Sequence, residues 1–515
     1  MAVPAGTPLD RGSHPGPRRG SLEHVTTQTL RAVSPPAAPA APAAPASRPA
    51  HTRAILAVIL VSYFLILLDN SVVFTGVPSI RADLHLPQTQ LSWVQDAYTL
   101  VFGGLLLLGA RLGDLLGRRR VFTAGLLVFV IASALVGSAP NGTWLVAARA
   151  VQGIGAAIVA PSSLSLLTAS FPEGQSRSRA VAMYGATAGI GASLGLVVGG
   201  AAADWVSWRA GFFINLPIGL AMALLAPRYL PETETRSGAF DLPGAVLATL
   251  GTGALAFSVI DSADRGWTSP TVALTLVAGV LLLALLVARE RRAAQPIMPL
   301  RLFADRRRVA AYLTRAAYLG AMIGFFFFTS QLMQDGLGFS ALQAGLGFLP
   351  MTVVNFAVAS AVPRLARRWD AAWMLATGVA LTLVGMAWLS LAGPAGSYLA
   401  AVAAPMLLVG AGQGLAFAPL TSFGIVDAPA ADAGAASGLV NTFHQFGTTL
   451  GLAVLVAVSA GATDGGARFT EALRGSSILL VLGLLLVLAL LVPAHRRSRT
   501  ATRRTGCVAG PTTHP

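Results

Sequence analysis

The sequence predicts an all-α polytopic membrane protein with 14 transmembrane helices, arranged as two six-helix pseudo-symmetric bundles plus two inserted central helices. Three observations carry that prediction. Of 515 residues, 54% are hydrophobic and 11% charged, with a mean hydropathy of +0.68; a soluble globular chain carries roughly 25% charged residues. Apolar runs long enough to cross about 30 Å of hydrocarbon recur fourteen times along the chain. Three short patterns then repeat at nearly one spacing. Gly191 to Val198 returns as Gly447 to Val454, Ala160-Pro161 as Ala418-Pro419, and Arg111-Leu112 as Arg364-Leu365, at offsets of 256, 258 and 253.

Composition also excludes. The net charge of +15 could suggest nucleic acid, but all 36 basic residues are Arg and they cluster in the short turns between apolar runs. Their placement makes them topology signals, so no nucleic-acid partner is expected. The absence of Lys removes the phosphate-loop motif and with it direct ATP drive within this chain. Cys507 is the only cysteine, so neither an intrachain disulfide nor a thiolate metal site is available.

In chain order, residues 1–53 are rich in Pro, Ala and Arg and read as a disordered cytoplasmic leader, without the apolar core of a signal peptide. Six spans follow at roughly 54–78, 91–112, 121–139, 143–168, 180–203 and 210–228, forming a first bundle over 54–230. Spans at 241–260 and 270–289 occupy the inserted segment 231–300. Six more at 309–334, 341–362, 372–392, 397–425, 434–459 and 475–493 build the second bundle, 301–493, before a basic cytoplasmic tail, 494–515. Alternate connections carry 29 Arg on one side against five on the other, which by the positive-inside rule puts both termini in the cytoplasm. Two repeated halves with a path between them suit a secondary transporter that rocks one half against the other.

Between spans 2 and 3 lies Gly109 to Phe122 (GARLGDLLGRRRVF), a short cationic turn able to hold two helices in register and to act as a latch. With Gly109, Asp114, Gly117, Arg118 and Arg119, it resembles the signature loop of the major facilitator superfamily. Leu68 to Pro78 resembles the first-span motif of that superfamily's fourteen-span drug:proton antiporters. Arg149, Gln152, Gly153 and Gly155 look like the fourth-span motif tied to proton transfer. The glycines 185, 189, 191, 195, 199 and 200 resemble the fifth-span antiporter motif, and Trp208-Arg209 with Phe212 to Pro217 opens span 6 as in that family. Two positions depart from the pattern: Leu196 follows Gly195 where Pro is usual, and Ala366 stands where the second copy of the loop could carry an acid.

The resemblance implies a plasma-membrane exporter of hydrophobic or amphiphilic drugs or natural products. It implies exchange for protons, drive by the proton motive force, no cofactor and no metal, and a monomer in the lipid bilayer. Proton-coupled export of a specific endogenous metabolite or lipid is the alternative. An embedded enzyme or sensor would need a His cluster, paired acids or a soluble catalytic domain, none of which is legible.

The candidate proton or substrate residues are Asp69, Arg149, Asp96, Gln152 and His444. An ionised Asp69 facing lipid in mid-span would cost several kcal/mol, so it must face a partner or a wet cavity, or hold a proton. A structural acid bonded across helices is the plainer reading. Arg149 is its natural counter-charge on span 4 and cannot itself carry the proton. Asp96, beside Gln95, is either a cavity-lining or a helix-end acid. His444, near Asn441 and Gln445, is a packing histidine before it is a titrating one. Arg315 is expected to snorkel to the interface, Asp335 to sit at the outer end of span 9, and Phe325 to Phe328 to be lipid-facing and core. In the latch, Asp114 is expected to meet the positive end of a neighbouring helix and Arg118 an acid or a helix C-terminus. Gly191, Gly195 and Gly199, four residues apart, share one helix face with Gly200 beside it and allow close helix packing.

Overall fold

The computed structural model describes residues 51–493 apart from 234, 236–240, 294, 295, 297, 393–396, 430, 431 and 463. The readings of a leader before residue 51 and of a basic tail from 494 lie outside the described residues. Fourteen helices among the described residues are long and apolar enough to cross a membrane. They are α1 (Thr52–Leu84), α2 (Gln88–Leu116), α3 (Arg118–Gly137), α4 (Gly142–Ser170), α5 (Gln175–Trp205), α6 (Ala210–Tyr229), α7 (Leu242–Arg265), α8 (Pro270–Glu290), α9 (Arg306–Gly336), α10 (Ala341–Leu365), α11 (Ala371–Leu391), α12 (Leu399–Ile425), α13 (Gly434–Ser459) and α14 (Gly465–Leu491). The chain is a multi-pass membrane protein.

Neighbour relations repeat between the halves. In the first, α1 packs on α5 and α6, and α4 on α2 and α3; in the second, α9 packs on α13 and α14, and α12 on α10 and α11. The repeated glycines explain part of this. A Cβ at Gly195 would meet the Leu68 carbonyl oxygen of α1 at 2.7 Å, and one at the matching Gly451 would meet the Gly320 Cα of α9 at 2.3 Å. Bare glycine faces let each helix pair approach at backbone distance, where dispersion contacts replace the hydrophobic drive that lipid removes. Helix α7 lies against both α2 and α13, straddling the two halves, while α8 packs chiefly on α7 and turns an apolar flank outward, with Leu274 and Leu281 exposed. The base of this inserted hairpin is tied by Asp241, which caps α7 at Gly244 N (3.0 Å) and accepts from Arg289 Nε at the end of α8 (2.7 Å).

Helix breaks fall where proline removes a donor. Pro217 cannot bond the Phe213 carbonyl, and α6 divides into Ala210–Phe213 and Asn215–Tyr229. Pro350 does the same for α10, which divides at Phe348.

Three expectations are corrected. The cationic turn is far shorter than the motif: α2 runs on through Arg111 and Asp114 to Leu116, and Gly117 alone joins it to α3. Phe325, Phe327 and Phe328 are core, as part of that reading had it, but none of the three is lipid-facing, and Phe326 stacks on Phe74 across the halves at 5.5 Å. Arg315 does not snorkel; it is 3% exposed and bonded within the bundle.

Candidate functional site

Five helices of the first half converge on Asp69. Its Oδ2 accepts from Arg149 NH1 (2.7 Å), and its Oδ1 accepts from Gln152 Nε2 (2.8 Å) and Asn215 Nδ2 (2.7 Å). Arg149 Nε donates to the Val94 carbonyl of α2 (2.9 Å), NH1 also donates to Gln152 Oε1 (2.7 Å), and the guanidinium lies 4.3 Å from the Tyr98 ring centroid. Ser133 of α3 accepts from Gln152 (2.8 Å) and Asn215 (3.2 Å). Every one of these side chains is buried. Local structure delivers them. Arg149 and Gln152, three apart, share a face of α4, and the proline break in α6 begins its second segment at Asn215. Such a set keeps a charged pair in an apolar bundle because each partner supplies the other's counter-charge and neighbours supply the remaining hydrogen bonds.

Asp96 lies outside this network. Both its carboxylate oxygens are buried without a hydrogen-bond partner among the described residues. It sits on the α2 face shared with Thr99 and Gly103, which meet α13 of the other half: Thr99 Oγ1 is 3.0 Å from Thr449 Oγ1, and a Cβ on Gly103 would strike Gln445. Beside it, Gln95 Nε2 donates to Asn70 Oδ1 (2.7 Å). His444 is in the second half, where its Nδ1 accepts from Arg315 NH2 (3.2 Å). The candidate residues therefore divide into three places: the Asp69–Arg149–Gln152 cluster, Asp96 at the seam between halves, and His444 with Arg315. Ser133 and the Asp69 contact of Asn215 were missed; the available signal was a polar side chain in the middle of an apolar span.

At the Arg-rich end of the bundle, Gly117 adopts φ +97°, and a Cβ there would meet Glu232 Oε1 at 2.7 Å. Across that one-residue joint, Arg118 reaches back to Asp114 through Nε (3.1 Å) and NH2 (2.9 Å), and its NH1 donates to the Ser165 carbonyl of α4 (3.3 Å). Glu232 caps α3 at Arg119 N (3.1 Å) and pairs with Arg119 and Arg120. Arg119 NH1 also donates to the Pro227 carbonyl at the end of α6 (3.3 Å). Gly109 crosses α4 so closely that a Cβ would lie 2.1 Å from the Ala157 oxygen. The loop thus clamps α2, α3, α4 and α6 of one half together. Asp114 meets Arg118 in this conformation, and its expected approach to a neighbouring helix's positive end is not among these contacts.

At the opposite, Arg-poor end the two halves are bonded to each other. Arg81 pairs with Asp335 (2.8 Å), Gln88 donates to Gln331 (3.2 Å), and Gln334 donates to the Thr75 carbonyl (3.2 Å). Asp204, at the end of α5, accepts from the backbone N–H groups of Ala341 and Leu342 (2.9 Å each), capping α10 from the other half. Of the antiporter-motif glycines, Gly191, Gly195 and Gly199 abut α1, whereas Gly200 abuts the Ala341 oxygen of α10; nothing lies within 4 Å of a Cβ at Gly185 or Gly189.

The profile of the Major Facilitator Superfamily matches residues 59–452. The chain is 40% identical over 437 residues to the cephamycin export protein CmcT of Amycolatopsis lactamdurans, covering 84% of this chain and 90% of that one. It is 37% identical over 414 residues to the puromycin resistance protein pur8 of Streptomyces alboniger, covering 79% and 82% respectively. Among solved structures, the peptide transporter POT in complex with sulfate superposes with a TM-score of 0.64 at 14% identity, over 86% of this chain and 95% of that one, a likeness of fold alone.

Proposed function

This chain belongs to the Major Facilitator Superfamily, and from that premise we propose that it exports hydrophobic or amphiphilic drugs or natural products across the plasma membrane in exchange for protons. The names of the relatives, cephamycin export and puromycin resistance, support the substrate class. The Arg count per side supports cytoplasmic termini, with the Arg-rich end facing the cytoplasm. A monomer is the proposed working unit, and the proton motive force its drive.

The observation that carries the proton assignment is the contrast between the two buried acids. Asp69 accepts three hydrogen bonds, one of them from the Arg149 guanidinium that balances its charge, the environment of an ionised carboxylate. Asp96 is buried with both oxygens bare, and a carboxyl without donors is stable there only as the neutral acid. On this reading Asp96 takes its proton from the outer side while the Arg-poor end is open, keeps it as that end seals, and gives it up to the cytoplasmic side when water enters along the α2–α13 seam; the same rocking loosens the Asp69–Arg149 pair. A proton moving through 100 mV yields about 2.3 kcal/mol, and one pH unit adds about 1.4 kcal/mol. Together these sustain a substrate gradient of roughly a few hundredfold, at about 1.4 kcal/mol per decade.

Inverted membrane vesicles test this with a fluorescent drug, with and without an imposed pH gradient. The wild type is expected to accumulate the dye only when the gradient is present. Asp69→Asn and Asp96→Asn are each expected to lower gradient-driven uptake at least tenfold while leaving equilibrium dye binding within about threefold. Uptake unchanged by either substitution removes that residue from the proton path, and uptake that ignores the gradient ends the antiport reading.

A further inference from the structure

We propose that Arg315, Thr421 and His444 form a subsite for the carboxylate of an amphiphilic organic acid. This rests on the export reading and narrows its substrate class. Three arginines are buried in the described residues. Arg149 pairs with Asp69, and Arg308 faces Asp305 at 3.9 Å. Arg315 has no carboxylate within 4.0 Å among the described residues. Its partners are all neutral: NH1 donates to Thr421 Oγ1 (2.8 Å), NH2 to His444 Nδ1 (3.2 Å), and the Phe417 ring centroid lies 4.9 Å from the guanidinium carbon. Arginine can only donate, so Nδ1 accepts and the imidazole is uncharged. Among the described residues Arg315 is therefore a buried cation with no counter-ion within 4.0 Å, in surroundings where an unpaired charge is costly.

The geometry leaves a donor for the missing charge. Arg315 Nε–H is buried and has no acceptor. A carboxylate can take that donor without displacing Thr421 or His444, and planar carboxylates are what the guanidinium fork recognises best. Nine residues separate Arg315 from the start of α9 at Arg306, about 14 Å of helix. The site is therefore well inside the bundle but near its Arg-rich end. Its flank is open, since Phe417 is 41% exposed and Asn441, one turn from His444, is exposed. The face of the Phe417 ring offers a partial negative charge to the guanidinium, and turning the ring aside would admit a true anion. Neither Asp69 nor Asp96 is among the groups bonded to Arg315.

Rhodamine 110 and rhodamine 123 share one fluorophore and differ as free carboxylate and methyl ester. Their equilibrium binding to the purified full-length protein, read by fluorescence anisotropy, tests the assignment. The wild type is expected to bind rhodamine 110 at least tenfold more tightly than rhodamine 123. Arg315→Gln should erase that preference while leaving rhodamine 123 within twofold. Arg315→Lys, which keeps the charge and loses the fork, should weaken rhodamine 110 three- to tenfold and spare the ester. A wild type without preference, or a variant that changes both dyes equally, overturns the subsite. If phosphatidylglycerol in nanodiscs displaces rhodamine 110 from the wild type but not from Arg315→Gln, the anion held is a lipid phosphate and the substrate assignment falls. Uptake into inverted vesicles keeps the two readings apart. Preferential binding with no gradient-driven uptake of either dye upholds the subsite and rejects export.

Discussion

Asp432, in the connection before α13, accepts a forked pair of hydrogen bonds from Arg301 in the segment before α9. That donated pair holds the Asp432 carboxyl below the usual carboxylate range. Its folded value therefore lies below the unfolded one, so the tether is fully present above the unfolded-state pKa of about 3.9 and is lost as pH falls through the lowered value. The protection factors of residues Leu300–Ala304, in which the intrinsic exchange rate at each pH is divided out, should thus be the same at pH 7 and pH 5 and should fall only in stronger acid. Asp432→Asn should be less protected at pH 7 and pH 5 alike and should converge with the wild type in strong acid; a loss of protection already between pH 7 and 5 in the wild type would rule the tether out. At this scale the sequence discloses charge and depth well. Asp69, Arg149 and Gln152 are legible because polar groups in apolar runs must find one another. Partner identity is less legible. Arg315 sits near an end of its span, where snorkelling is the ordinary outcome, and only the packed bundle places Thr421 and His444 beside it. Ser133 and Asn215 carry the one available signal, a polar side chain within an apolar span, but a span tolerates such small polar residues without a partner, so the signal does not single them out.

Elements were easier to read than their faces. The fourteen apolar runs correspond to fourteen helices, although α1 begins at Thr52 and extends to Leu84, because polar ends such as Arg81 and Asp83 continue a helix past its apolar core. The loop motif illustrates the opposite error. Its glycines and charges read as a turn, yet helical hydrogen bonding persists to Leu116 and only Gly117 leaves it. On α5, the resemblance to the antiporter motif takes in Gly189 and Gly195 alike, whereas the neighbours separate them. A Cβ at Gly195 would lie 2.7 Å from the Leu68 oxygen and 2.6 Å from Ser71 Cβ, next to the residue that holds the Arg149 charge, while nothing lies within 4 Å of one at Gly189. Gly195→Leu should therefore push α5 off α1 and cost about 1–3 kcal/mol by overpacking. Gly189→Ala should be neutral or stabilising by up to about 1 kcal/mol through helix propensity. Thermal unfolding of the two purified variants checks this, and equal melting temperatures would show that the α1–α5 contact is not tight.

At the scale of the whole molecule, the hydrogen bonds between the halves are concentrated at the Arg-poor end: Arg81 with Asp335, Gln88 with Gln331, Gln334 with Thr75, and Asp204 on the start of α10. Those contacts weigh the balance toward the arrangement sealed at that end, because a transporter's two arrangements differ in energy by whatever contacts only one of them makes. Arg81 and Asp335 are 35% and 42% exposed and Asp204 is exposed, so screening limits each to about 0.2–1 kcal/mol. Removing both through Arg81→Gln and Asp204→Asn should then shift the ratio of arrangements by about two- to thirtyfold, since about 1.4 kcal/mol is one decade. Single cysteines in a Cys507→Ser background read the shift. Ser330 is buried beneath the seal on α9, and Asn441 is exposed toward the Arg-rich end of α13. A membrane-impermeant maleimide should label position 330 faster from the Arg-poor side in the double variant than in the otherwise wild-type chain. Labelling of position 441 from the Arg-rich side should slow in step, because the two openings exclude each other. If position 330 gains access while 441 keeps its full rate, the seal has frayed locally, and the halves do not move as the rigid partners that alternating access requires.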